Sequence, residues 1–293
     1  MVTVKKFSAS WCGPCRALAP VMNEVKTQFS NVLFEDIDVD EASDIASKYN
    51  IRSVPTVVRI KIYDEEKPKI VFTDRYKTVH SSETFYIRLP ITSKSVVLSV
   101  YDDKKGNTPK EQETNIKVVS IDKTPLEKRM DVVDIQNKSI KHFVDFAQRF
   151  CFNAPYLATG KSYQSDNGEF MIEYLPEITN HDGRVLTTPA RISKVTGRIQ
   201  VAKKQFDDYT VPMRFAILCH EFSHFYVNEN MDDESEADIN GLLIYLGLGY
   251  PRIEGYQAFL EVFKDAPNQN NKKRFDRIDN FIKNFEKNKM VIR

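Results

Sequence analysis

Two clusters in this 293-residue chain hold residue types at spacings that do chemistry. The first is Trp11-Cys12-Gly13-Pro14-Cys15. Two cysteines separated by two residues, after a strand-like run and at the start of a helical one, are placed for thiol–disulfide exchange. The free N–H groups and positive dipole end of a helix N-terminus stabilise a thiolate at Cys12. Cys15, one turn on, is placed to attack a mixed disulfide and release the partner. Pro14 presets φ where a missing N–H costs little. Half a zinc site is the alternative, but it needs a second Cys or His pair nearby. Cys151 and Cys219 stand alone in other segments and read as core thiols.

The second cluster is His220-Glu221-Phe222-Ser223-His224. Histidines at i and i+4 share one helix face, so both imidazoles reach one metal ion. Glu221 lies beside that face and can polarise a metal-bound water. The rest of the segment is apolar, and burying two histidines and a glutamate is costly unless they are paired or bind metal. Asp233-Glu234-Ser235-Glu236-Ala237-Asp238 follows after a turn. A carboxylate there completes a three-ligand site with an open position. Glu234 and Asp238 share a face, so one can bind metal while the other holds a ligand histidine.

The first cluster resembles the thioredoxin family. Phe7 to Cys15, Pro20, Phe34-Glu35-Asp36-Ile37-Asp38-Val39-Asp40 and Tyr49-Asn50-Ile51-Arg52-Ser53-Val54-Pro55-Thr56 carry the likeness. The resemblance implies redox-active Cys12 and Cys15 and a cis-proline at Pro55 against the disulfide. It also implies a disulfide-bearing protein client. Two departures stand out. The family carries a leading strand and helix before the strand that precedes the cysteines, and here only a handful of residues come first, so the sheet is expected to be trimmed on that edge. Lys6 stands where the family places a buried acid, which takes away a proton-transfer partner for Cys15.

The second cluster resembles the gluzincin-type zincin metallopeptidases, with Glu234-Ser235-Glu236-Ala237-Asp238 matching their Glu-x-x-Ala-Asp segment. The resemblance implies zinc as cofactor and His220, His224 and Glu234 as its ligands. It implies Glu221 as general base and Asp238 as the group behind a ligand histidine. Glu236 is the rival third ligand. A strand over 191–203 fits the family's edge strand, which holds an extended peptide by strand addition. His181, Tyr209 and Tyr226 are candidates for transition-state stabilisation.

The elements that must position these residues follow from periodicity. Strands are expected at 2–7, 31–39, 56–62 and 69–73, and helices at 17–29 and 41–49. β-branched and aromatic runs at 84–89, 95–101 and 115–121 predict further strands. Helices are expected at 135–152, 212–227, 233–246 and 275–288, with a strand at 170–175. The basic run Lys272-Lys273-Arg274 reads as a solvated helix start. The fold class is therefore an α/β thioredoxin-like domain over residues 1–80 with a mostly buried sheet, a β-rich connector over 81–134, and an α+β zincin-like metallopeptidase domain over 135–293.

Composition narrows the function. Forty-two basic residues against 41 acidic ones leave a net charge of +1, without the basic excess of a nucleic-acid binder. No apolar run approaches a membrane span and no secretory h-region opens the chain, so a soluble, cytoplasmic protein is expected. The two motifs together predict a zinc-dependent peptidase with a redox unit, acting on a protein or peptide substrate. One alternative is a thiol–disulfide oxidoreductase whose C-terminal part binds a client. Another is a structural or assembly protein. A compact thioredoxin unit joined to a zincin in a Lys- and Asn-rich chain resembles proteins of large tailed bacteriophages, which implies a virion location or a large assembly for that alternative.

Overall fold

The computed structural model describes residues 2–10, 12–29, 32–49, 56–79, 84–89, 93–102, 118–122, 138–264 and 267–288. The chain divides into two compact units. One comprises Met1–Lys61, Asp74–Tyr86 and Leu98–Asp122, and the other Ile62–Thr73, Ile87–Val97 and Lys123–Arg293.

In the first unit, β1 (Val2–Ser8) and β2 (Val32–Asp38) pair in parallel, joined through α1 (Gly13–Gln28). Helix α2 (Ser43–Lys48) follows β2. The order strand, helix, strand, helix matches the expectation. The expected mostly buried sheet does not appear among the described residues. Val4 and Leu33 of the strands and Leu18, Val21 and Phe29 beside them are exposed. A parallel pair needs cover on both faces to be buried, and two strands with one long helix supply too little of it.

Strands β3 (Thr56–Asp64), β4 (Val71–Val79) and β5 (Val96–Asp102) form a three-stranded sheet in the order β4-β3-β5. Val58, Ile60 and Ile62 are buried at alternate positions along β3, and Ile70 and Phe72 are buried where β4 begins. The side chain of Asp64 accepts the Lys67 N–H at 2.6 Å and closes the polar turn. Of the three strands expected in the connector, only the one near 95–101 forms among the described residues. Residues 84–89 and 118–121 lie in irregular backbone, and 115–117 lie outside the described residues. Tyr86 is 88% exposed and Val119 83% exposed, so neither run has a buried face to drive pairing.

The second unit is a mixed α/β body. Helix α3 (Lys138–Asn153) leads through a 3-10 turn into β6 (Lys161–Gln164) and β7 (Met171–Leu175). Next come β8 (Ala190–Ile192), β9 (Ile199–Ala202) and the short α4 (Lys203–Asp208). The sheet runs β6-β7-β9-β8, so β8 is an edge. The single strand expected over 191–203 is instead a hairpin, β8 to β9, followed by α4. Gly197 turns it at φ +67°, a conformation that a residue with a Cβ adopts only under strain. A Cβ there would also sit 2.6 Å from the Tyr226 hydroxyl.

Four helices complete the unit: α5 (Val211–Tyr226), α6 (Glu234–Gly247), α7 (Arg252–Lys264) and α8 (Gln269–Asn288). Helix α7 was not expected from the sequence, and α8 begins six residues earlier than its apolar period suggested. α5 is buried along nearly its whole length. It packs against α3, β8, α6 and α7. Phe222 stacks on Phe143 at 4.0 Å and on Tyr226 at 4.8 Å. Arg214, fully buried, donates to the Phe206 and Cys151 carbonyls. No described helix is long and apolar enough to cross a membrane.

Candidate functional site

Local chemistry sets the two helices that carry the second cluster. The Thr210 hydroxyl caps α5 by accepting the Met213 N–H, and Pro212 occupies its first turn. Asp233 caps α6, accepting from the N–H groups of Ser235 and Glu236 at 2.8 and 3.0 Å. That cap places Glu234 in the first turn of α6, facing α5.

The helices then approach backbone to backbone. A Cβ on Gly241 would lie 2.7 Å from the His220 nitrogen and 2.8 Å from its Cα. Glycine in mid-helix costs roughly 1 kcal/mol against alanine, and here it lets α6 seat directly on the turn of α5 that holds His220. Sequence reasoning passed over Gly241; a lone glycine inside an apolar helical run was the available signal.

The seating brings His220, His224 and Glu234 together, with ligand atoms within 4.8 Å of one another. The two Nε2 atoms are 3.2 Å apart. Glu234 Oε2 lies 3.5 Å from His220 Nε2, and Oε1 lies 3.5 Å from His224 Nε2. His224 Nδ1 is 2.8 Å from the Met231 carbonyl, which fixes a proton there and leaves the Nε2 lone pair facing the cluster. His220 Nδ1 is buried 3.0 Å from Asp238 Oδ1, an ion-pair distance without the alignment of a good hydrogen bond.

This donor set fits a divalent cation. Two nitrogen lone pairs and a carboxylate converge on one point, and they repel one another unless a proton or cation lies between them. The N2O composition, with Glu234 half exposed to solvent, suits zinc with an open coordination position. Glu236, the rival ligand, is used elsewhere: its carboxylate accepts the N–H groups of Glu229 and Asn230.

Electrostatics follow from the packing. Burial opposes charge on His220, but pairing with Asp238 and Glu234 outweighs it and raises the pKa to about 10. Hydrogen bonding to the two imidazoles holds Glu234 well below the usual carboxylate range. Burial works to raise Asp238, yet Arg274 and His220 more than reverse it. Glu221 is buried beside the cluster. Desolvation pushes its carboxyl up, against the pull of the histidines, and the Ile192 backbone is hydrogen-bonded to it.

Arg274 completes the arrangement. It reaches from α8 to Asp238 with Nε and Nη2 at 2.7 and 2.8 Å, and Nη2 is 3.1 Å from Glu234 Oε2. The reading of 272–274 as a solvated start therefore fails at Arg274, whose side chain is 13% exposed. A cleft of about 210 Å³ opens over the cluster. Its walls include Thr188 to Ile192 on one side and Phe259, Val262 and Arg274 on the other. His181, Tyr209 and Tyr226 are not among its lining residues.

In the first unit, Cys12 and Cys15 are joined by a disulfide at the N-terminus of α1. Cys12 is the cap residue, its Sγ accepting the Cys15 N–H at 3.2 Å. Both are buried, against Ala9 and Val39. Lys6, the residue standing where an acid was expected, is half-buried on β1 and pairs across the strands with Asp36 at 3.2 Å. Pro55 and Trp11 lie outside the described residues. Cys151 and Cys219 are free and buried, and desolvation pushes both thiols up.

A family model for thioredoxin matches residues 1–80. A thioredoxin H-type of Fagopyrum esculentum is 34% identical over 87 residues, 30% of this chain and 72% of the relative. The chain belongs to the thioredoxin family. Other thioredoxins agree over a shorter stretch. The H-type of Oryza sativa subsp. indica is 47% identical over 60 residues, 20% of this chain and 49% of the relative. Thioredoxin-1 of Caenorhabditis elegans is 42% identical over 60 residues, 20% of this chain and 52% of the relative. The chain thus spans about half the length of these two curated thioredoxins. No solved structure matches the chain.

Proposed function

We propose that this protein is a zinc-dependent metallopeptidase that also carries a thioredoxin-type dithiol–disulfide unit. On this reading residues 1–80 form the thioredoxin-like domain, 81–134 a connector and 135–293 a zincin-like peptidase domain. The observation that carries it is the convergence of His220 Nε2, His224 Nε2 and the Glu234 carboxylate, with Glu221 buried alongside.

His220, His224 and Glu234 would hold the zinc. Met231 and Asp238 orient the imidazoles through their Nδ1 atoms. When bound, zinc supplies Lewis acidity to the scissile carbonyl and lowers the pKa of a water. A Glu221 carboxylate oxygen takes the proton from the attacking water and passes it to the leaving amine. Burial raises the pKa of its carboxyl, which makes it a better proton acceptor than an exposed glutamate. Edge strand β8 lies along the cleft, and an extended peptide adding to it is held across the cluster.

Metal analysis and proteolysis of the wild type and Glu221→Gln test this. Both proteins should carry zinc one to one, and the variant should lose cleavage by a factor of about 10²–10⁴. Stoichiometric zinc in a wild type that cleaves nothing in a broad peptide panel rejects the peptidase reading.

The Cys12–Cys15 disulfide at a helix N-terminus favours a second reading, a thiol–disulfide oxidoreductase acting on disulfide-bearing clients that the second unit binds. That protein reduces insulin-type disulfides in a Cys12-dependent reaction that chelators leave untouched.

A further inference from the structure

Arg191 sits in the middle of edge strand β8, and among the described residues its guanidinium bonds neutral acceptors alone. It lies opposite Gln200 of β9, which lies opposite Glu173 of β7. These three side chains form a polar row on one face of the sheet. Ala190 and Ile192, their neighbours on β8, are buried on the other. Arg191 Nε donates to Gln200 Oε1 at 2.7 Å, and Nη2 donates to the Thr179 carbonyl at 3.0 Å. Both acceptors are neutral. Among the described residues no carboxylate lies at ion-pair distance from this guanidinium, and it keeps donors to spare.

The position is as telling as the charge. Arg191 lines the cleft over the histidine cluster, and it also lines an adjoining hollow of about 370 Å³. Arg198, Gln200, Ser193 and Glu173 share that hollow. Arg198 is only 3.8 Å from Glu173 Oε1, a loose pairing, so two arginines face one glutamate.

Ser193 donates its N–H to the Arg198 carbonyl, and the Pro189 carbonyl accepts from Ala202. By the two-residue alternation of an antiparallel ladder, Arg191 spends its backbone groups on β9, and residues 190 and 192 turn theirs to the open edge. The Ile192 N–H is spent on Glu221 and the Ala190 carbonyl accepts the Thr188 hydroxyl at 2.7 Å, which leaves the Ala190 N–H and the Ile192 carbonyl for an added strand. A peptide added to the edge alternates its side chains between the two faces of the sheet. Those on the Arg191 face meet a fixed, planar, charged fork suited to carboxylates.

We infer that the cleft selects polypeptides with acidic side chains, and that Arg191 determines this specificity from the outer face of β8. The inference rests on reading the cleft as the substrate-binding side of the candidate metal site.

Binding to the full-length Glu221→Gln protein tests it without requiring catalysis. Three fluorescent decapeptides share one backbone sequence and carry Glu, Gln or Lys at alternate positions, and fluorescence anisotropy reads their binding. The Glu peptide should bind about tenfold or more tighter than the Gln peptide, as one charge-assisted pair would give. Adding Arg191→Lys, which keeps the charge and loses the fork, should keep only part of that preference, and adding Arg191→Glu should reverse it toward the Lys peptide. Zinc content and thermal unfolding of each variant report whether the fold is retained.

Equal binding of the Glu and Gln peptides, or no binding of either, overturns the inference. So does a folded Arg191→Glu protein that still prefers Glu. A wild type that holds zinc and cleaves peptides without acidic preference sinks this inference alone. An Arg191-dependent Glu preference in a protein that neither holds zinc nor cleaves sinks the peptidase reading and leaves an acidic-strand binding site.

Discussion

Arg274 grips Asp238 at two points, Nε to Oδ2 at 2.7 Å and Nη2 to Oδ1 at 2.8 Å. The two residues are 36 positions apart, on α8 and α6. Asp238 in turn lies 3.0 Å from His220, and Arg274 lies 3.1 Å from Glu234. One ion pair therefore braces two of the three converging ligands. It also neutralises one carboxylate, so on the proposed reading Glu234 and Glu221 would balance the zinc ion.

Arg274→Ala should weaken zinc binding by about 10–100-fold, the usual cost of losing a group behind the ligands. Competition with a chromophoric chelator measures it. The variant leaves Asp238 buried without its main partner, so a loss of stability should accompany the change. Unchanged zinc affinity would show that the brace is purely structural.

Gly241→Ala should be disproportionately harmful for so small a change. Its methyl would meet backbone atoms of His220, which cannot rotate away. Overpacking of this kind costs roughly 1–3 kcal/mol. Chemical denaturation should show that loss, and zinc affinity should fall with it as α6 lifts Glu234 away from α5. A tolerated alanine would mean that the helices part without disturbing the ligands.

Zinc uptake should release about one proton at pH 8. The metal-free His220 has its pKa raised to about 10, so it is charged at pH 8 and must lose that proton to bind metal. Calorimetry in buffers of different ionisation enthalpy reads the number directly. The sign for stability of the metal-free protein follows. The raised pKa contributes stability that is fully present below about 6.5 and lost as pH rises through about 10. Chelator should lower the unfolding temperature of the zinc form and leave disulfide reductase activity unchanged.

Cys15→Ser should trap clients. With Cys12 alone, attack on a disulfide stops at the mixed disulfide, because the resolving thiol is missing. Non-reducing electrophoresis after incubation with oxidised insulin should show covalent adducts with Cys15→Ser and none with Cys12→Ser. Adducts from both variants would mean that Cys15 is also an attacking thiol.

How much of this was legible beforehand depended on range along the chain. Cys12-x-x-Cys15 and His220-x-x-x-His224 are local patterns, and the helical period alone puts each pair on one turn or one face. Glu234 and Asp238 are four apart, so the same period puts both on one face of the next helix. The thioredoxin resemblance was equally local, carried by contiguous runs within residues 1–80. Where reading failed, the deciding partner was distant or the deciding term was backbone geometry. The strand expected over 191–203 became a hairpin because Gly197 turns at positive φ against Tyr226. The runs at 84–89 and 118–121 have strand-like composition but no buried face, and composition cannot reveal which face packs.

By itself, then, the sequence determined which residues can do chemistry: a dithiol pair at one helix start, and two histidines and a glutamate on another helix. Those follow from spacing and period, which need no neighbours. Only the tertiary structure decided what stands around them. It seated α6 on α5 through Gly241, drew Arg274 out of a basic run into the site, and laid the open edge of β8 with Arg191 beside the histidines. Each of these depends on close approach between segments far apart in sequence, and the free energy of such contacts is not written in any local pattern.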